Sequence, residues 1–182
     1  MLARRTDSVL ILIDVQPNFL APIVEADKVL ARCKFMLEIA NLLEVPVIAT
    51  EQYPSRMGGT HEDLRSLLCA APIGKMCFSC ARSGEFNAAL GATGRKQAVL
   101  IGIETPICVN KTAHDLLGRG FEVLLAADAV GARSSEMHEL ALRRMDAAGA
   151  ILGQTESIAY EWLETAENSK FRDVLKIVKA MA

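Results

Sequence analysis

"QAVLIGIETPICVNKTAHDLLGRGFEVLLAADAV", residues 97–130, is the stretch that decides the fold. It opens on Gln97 to Ile103, a short apolar run of the kind buried on both faces of a parallel sheet. "PICVNKTAHDLLGRG" follows as a helix closed by Gly118 or Gly120. Phe121 to Val130 is then a second buried strand. Strand, helix and strand in immediate succession form the unit of an α/β protein.

The same alternation extends in both directions. "VLILIDV" (Val9 to Val15) and "VPVIAT" (Val45 to Thr50) read as buried strands. Between them, Glu25 to Leu43 carries an apolar stripe at helical spacing. "APIGKMCF" is a weaker, interrupted strand, and "EQYPSRMGGTHED" is a loop by its Pro and Gly content. Ser83 caps a helix over "SGEFNAALGAT", and Ser134 or Ser135 caps another that ends at Gly149. "AILG" is a short strand, and "TESIAYEWLE" and "KFRDVLKIVKAM" are terminal helices. The expected fold is therefore a three-layer α/β/α arrangement. It has a largely parallel, doubly wound sheet of about six strands, in a single domain spanning residues 1–182.

Composition narrows the function. Of 182 residues, 51% are hydrophobic and 23% charged, enough apolar material for a real core. A net charge of −2 without Lys/Arg clusters points away from nucleic acid and anionic membranes. Five irregularly spaced cysteines read as reduced thiols rather than a disulfide scaffold. No apolar run is long enough to span a bilayer. The cytoplasm is the expected compartment, with a mitochondrial one left open by the short basic start "MLARRTDS".

In doubly wound sheets, ligands bind beyond the carboxyl ends of the strands. Asp14, Lys75 and Cys108 all fall there. Thr105 suits an N-cap and Pro106 the first helical position, which puts Cys108 third in its helix. The helix start and a nearby Lys75 ammonium favour a thiolate of lowered pKa. Asp14 is placed to take the thiol proton and later to activate water. Backbone amides from Glu104 to Cys108 can receive an oxyanion. Taken alone, each residue has a plainer reading: core packing for Cys108, a turn for Asp14, a solvated surface for Lys75.

Taken together, "LILIDVQPNF", "TEQYP", "GKMCFSC" and "GIETPICVNKTAHDLLGRGFEVLLAADAVGAR" resemble the isochorismatase-like cysteine hydrolases, in particular the isochorismatase domain-containing proteins. The resemblance covers nearly the whole chain. It implies a catalytic triad of Asp14, Lys75 and Cys108 and a cis peptide at Ile103–Glu104 that aims the Glu104 and Cys108 amides at the oxyanion. It also implies hydrolysis of an amide-like C–N bond through a covalent thioester, in a homo-oligomer (dimer or tetramer) acting on a small molecule. Gln16, Phe19, Gln52, Tyr53 and Pro106 are the expected pocket residues, and Glu104 is expected to point away from the thiol or to pair with a cation. No cofactor is expected.

The chain also departs from its relatives. The loop after the second strand lacks the histidine ligands of the metal-dependent members; His61, His114 and His138 read as surface or capping residues, so no catalytic metal is expected. Pro106 stands where many relatives of this subgroup carry a histidine. Cys108 argues against isochorismate itself as substrate. Two other readings are a non-catalytic oligomeric scaffold that keeps the fold and a thiol redox protein using Cys77 and Cys80, for which packing is the plainer account.

Overall fold

The computed structural model describes residues 1–181. Six strands form one sheet: β1 (Ser8–Ile13), β2 (Val47–Gln52), β3 (Ile73–Lys75), β4 (Gln97–Ile103), β5 (Glu122–Gly131) and β6 (Ile151–Gly153). Their order is β3-β2-β1-β4-β5-β6 and every pairing is parallel. All six residues of β1 and all seven of β4 are buried, which is why both segments read as continuous apolar runs rather than alternating ones.

Alternate β1 side chains serve opposite cores. Leu10 and Leu12 pack with Phe35, Met36 and Trp162 on one face. Those residues come from α2 (Ala26–Leu42) and α8 (Thr155–Leu163), and α9 (Phe171–Ala180) adds Val174 to the same core. Val9, Ile11 and Ile13 pack on the other face with Phe86, Leu116 and Met145. Those come from α5 (Gly84–Thr93), α6 (Asn110–Leu117) and α7 (Ser135–Ala147). Each fully buried Leu, Ile or Phe contributes about 1.5–3 kcal/mol. The largest buried side chain, Trp162, also donates its Nε1–H to Ser8 Oγ at 2.9 Å, so its polar atom is paired.

Two expectations are corrected. The stretch after Thr50 is not a simple loop. β2 continues to Gln52, and the chain then forms the single-turn helices α3 (Pro54–Met57) and α4 (Glu62–Arg65); a further single turn, α1 (Pro17–Leu20), follows β1. Thr105 is not an N-cap. Glu104 takes that place, and Thr105–Val109 forms a π-helical turn before α6. Thr105 Oγ1 instead meets His138 Nδ1 at 3.0 Å, across to α7. By contrast, Ser83 and Ser134 cap their helices by accepting from Phe86 N–H and Met137 N–H.

The strand order reverses at β1, whose neighbours are β2 and β4. A doubly wound sheet opens its ligand crevice at this point. Here the approach is tightened by Gly102, whose φ is +113°. A Cβ on Gly102 would lie 2.2 Å from the Ile13 carbonyl oxygen, so only glycine lets the end of β4 close on the end of β1.

Candidate active site at the carboxyl edge of the sheet

Asp14 follows β1 directly with φ +52°, a left-handed turn that Asp tolerates and that takes the chain out of the sheet. Its carboxylate is fixed on both oxygens. Oδ1 accepts from Thr50 Oγ1 at 2.7 Å, and Oδ2 meets Lys75 Nζ at 2.6 Å. Lys75 ends β3, with a side chain at 0% exposure. Its ammonium also donates to Gln52 Oε1 at 2.7 Å and lies 3.8 Å from Cys108 Sγ. Three residues from distant parts of the chain therefore share one buried cluster, as the strand-end rule requires. The Ile103–Glu104 peptide is cis and leads directly into the turn that carries Cys108.

Electrostatics correct one expectation. Burial pulls the Lys75 pKa down, but the Asp14 carboxylate, together with the neighbouring Cys80 and Cys108 sulfurs, outweighs it, and the group is held above its ordinary range. Burial pushes the Cys108 thiol well above the ordinary thiol range, and Asp14 pushes it further; Lys75 pulls it down without winning. The resting site is thus an Asp–Lys ion pair beside a neutral thiol, not a preformed thiolate.

A cavity of about 130 Å³ opens over the sulfur. Phe19, Phe78, Ile103 and Ile107 form its apolar walls, while Asp14, Gln52, Glu104 and Cys108 supply the polar ones. Phe19 and Gln52 stand where the sequence puts them; Gln16, Tyr53 and Pro106 do not. Gln16 is fully buried behind the pocket and donates to the Gln52 and Gly58 carbonyls while accepting from Gln52 N–H. It positions Gln52, which in turn holds Lys75. Tyr53, in a left-handed turn, faces solvent. Pro106 lines a separate hollow against Met137 and Leu140 of α7. Glu104 behaves as expected: its carboxylate pairs with Arg133 Nε at 2.9 Å.

Sequence reasoning missed Phe78, Ile103, Ile107, Thr50 and His138. Ile103 was identifiable as the last apolar residue of a strand at the crevice. Phe78 gave no signal, because an aromatic in a loop carries no period. The histidine expectation holds for His61, which caps α4 by accepting from Asp63 N–H, and fails for half-buried His138. Among the described residues, no three His, Cys, Asp or Glu side chains group as a metal site. All five cysteines are free. Cys80 is fully buried, 3.6 Å from Thr50 Oγ1, and burial pushes its thiol up to about 11.

The isochorismatase domain profile matches residues 8–157, which contain all three clustered side chains. The chain belongs to the isochorismatase domain family. Isochorismatase domain-containing protein 2A of Mus musculus is 36% identical over 173 residues, covering 94% of this chain and 82% of the mouse protein. The MAR1 ribonuclease of Caenorhabditis elegans superposes with a TM-score of 0.92 at 31% identity, over 98% of this chain and 93% of that one. The YcaC gene product of Escherichia coli, an octameric hydrolase of unknown specificity, shares the fold at a TM-score of 0.88 and 23% identity, over 100% of this chain and 98% of that one. No helix among the described residues is long and apolar enough to cross a membrane.

Proposed function

We propose that this isochorismatase-family protein is a hydrolase in which Cys108 attacks the carbonyl of a small amide-like substrate, without metal or cofactor. The observation that carries the reading is the Lys75 ammonium, 2.6 Å from Asp14 and 3.8 Å from Cys108 Sγ on the pocket floor. A buried ion pair is costly to maintain for packing alone. Asp14 takes the thiol proton as the S–C bond forms, and Lys75 stabilises the sulfur anion. Amides of Glu104 and Cys108 receive the carbonyl oxygen. Protonated Asp14 then gives its proton to the leaving nitrogen as the C–N bond breaks, leaving a thioester. Water attacks the thioester while losing a proton to Asp14. The S–C bond breaks, the acid leaves, and Asp14 returns its proton to the sulfur.

A neutral thiol suits this sequence, because its proton is then available for the amine. The small, apolar-walled cavity and the net charge of −2 favour a compact uncharged acyl group over a polyanion, even though one relative is named a ribonuclease. Exposed Met76, Phe78 and Leu140 favour self-association, and a cytoplasmic location remains part of the reading. The test is intact-mass detection of an acyl adduct across a panel of primary amides and ureido compounds. An adduct on the wild type that is absent from Cys108→Ala supports the reading. No adduct and no released ammonia across the panel sinks it and leaves the scaffold alternative.

A further inference from the structure

The proposed reaction leaves one buried thiol at the site unused. Cys80 Sγ lies 3.6 Å from Thr50 Oγ1, which donates to Asp14 Oδ1 at 2.7 Å. Asp14, Thr50 and Cys80 are exposed by 2%, 1% and 0%, so solvent does not interrupt this line. The backbone is tied down along it. Asp14 N–H donates to the Thr50 carbonyl at 3.1 Å, and Cys80 N–H donates to Thr112 Oγ1 at 3.0 Å. Lys75 holds the other carboxylate oxygen, Oδ2, at 2.6 Å. One short segment, residues 75–80, therefore grips both oxygens of Asp14, directly through Lys75 and indirectly through Cys80 and Thr50.

A count of protons fixes the direction of the line. A hydroxyl carries one proton and a carboxylate none. Asp14 is paired with the Lys75 ammonium, so the Thr50 proton points at Oδ1. Only the thiol proton is then left for the contact between Cys80 and Thr50. Burial keeps that proton on the sulfur, pushing the Cys80 thiol up to about 11. The thiol donates to the hydroxyl and the hydroxyl to the carboxylate, each bond strengthening the next.

We propose that Thr50 and Cys80 are positioning residues that orient Asp14 for proton transfer, an inference that rests on the thiol mechanism above. With Oδ1 occupied by Thr50, the thiol proton goes to the Oδ2 side, where Lys75 also reaches Cys108 Sγ. The direction of the line matters once Asp14 is protonated. A single proton lies between Thr50 Oγ1 and Asp14 Oδ1, and it belongs to Thr50. Reversing it would turn the Thr50 hydroxyl onto Cys80, whose own proton already points back. The Asp14 proton is thus kept from Thr50 and stays available to the leaving nitrogen and later to the sulfur.

The infrared S–H stretch tests the line without any turnover. The Cys80 band is the one lost in Cys80→Ala. It should lie at the lowered frequency of a donating thiol and rise in Thr50→Val, which keeps the side-chain shape and removes the acceptor. A band that Thr50→Val leaves in place overturns the proposal. Turnover tests the positioning. Thr50→Val should lower kcat by about tenfold at unchanged KM, and Cys80→Ala by about threefold. Thr50→Ser restores the hydroxyl and should recover most of the loss. Melting temperatures show that the variants fold. A valine variant as fast as the wild type, or a serine variant no faster than the valine one, overturns the positioning role while the thiol mechanism stands. A wild type that turns over no amide sinks the mechanism and the positioning role with it, whatever the S–H band shows.

Discussion

Cys33 and Cys108 both sit on helical segments packed against the same sheet, and both are buried. In both, burial pushes the thiol above its ordinary range. Their surroundings differ. Cys33 lies within α2, against the middle of the sheet, and its Sγ donates to the Ala129 carbonyl at 3.3 Å. Cys108 lies beyond the end of β4, with an ammonium at 3.8 Å and a carboxylate behind it. Burial alone makes an inert thiol. Position at the strand edge brings a carboxylate and a cation within reach, which the proposed nucleophile requires and Cys33 lacks.

The largest test of this contrast is to remove the charges. Asp14→Asn keeps the shape and removes the proposed base, so turnover per folded chain should fall by about 10²–10⁴; it also leaves the buried Lys75 ammonium unpaired, so a loss of about 3–5 kcal/mol is expected in urea unfolding. Lys75→Ala strands the Asp14 carboxylate in the same way, and a similar loss of about 3–5 kcal/mol is expected in urea unfolding. Cys33→Ala should lower stability by about 1–2 kcal/mol and leave turnover unchanged. If Asp14→Asn retained full turnover, the two thiols would be of one kind.

Most of this arrangement was legible in the sequence because it follows from pattern. Continuous apolar runs gave the buried strands, and the strand-end rule gathered Asp14, Lys75 and Cys108 without any contact being known. The errors have local causes. Gln16 and Tyr53 were placed in the pocket because they follow strands, but a side chain beyond a strand can turn inward or outward. Gln16 turned in to bond three backbone groups, and Tyr53 turned out on a left-handed residue. Pro106 was displaced when the helix start became a π turn, which rotates each following side chain around the axis. The thiol pKa was misjudged because the sequence shows the charges near Cys108 but not the depth of its burial, and burial is the larger effect.

That last correction sharpens the comparison with a smaller signal. Iodoacetamide labelling of Cys108 should be slow at neutral pH and rise only above the range of an ordinary thiol, behind exposed Cys69 at every pH. Asp14→Asn removes a negative neighbour and should move the Cys108 profile to lower pH, while Lys75→Ala should move it higher. Cys33 should stay unlabelled in the folded protein. Rapid labelling of wild-type Cys108 at neutral pH would restore the preformed thiolate and refute the neutral resting site.

The smallest expected effect concerns His138, which ties the π turn to α7 through Thr105. Burial lowers its pKa below the ordinary 6.5, with Glu139 acting weakly the other way. The unfolded chain therefore takes up a proton first as pH falls. The contribution is complete above the ordinary pKa and is lost as pH drops through it toward the folded value. His138 is only half-buried, so the hydrogen bond is worth about 0.5–1 kcal/mol. His138→Asn should lower the urea midpoint slightly at about pH 8 and flatten the fall in wild-type stability toward about pH 5. Cys108 lies three residues beyond Thr105 on the same turn, whereas Cys33 has no such tether. If the contrast between the two thiols depends on that turn being held, His138→Asn should change the Cys108 labelling rate at fixed pH and leave global stability nearly intact. An unchanged rate would mean that the end of β4 holds the sulfur without help from α7.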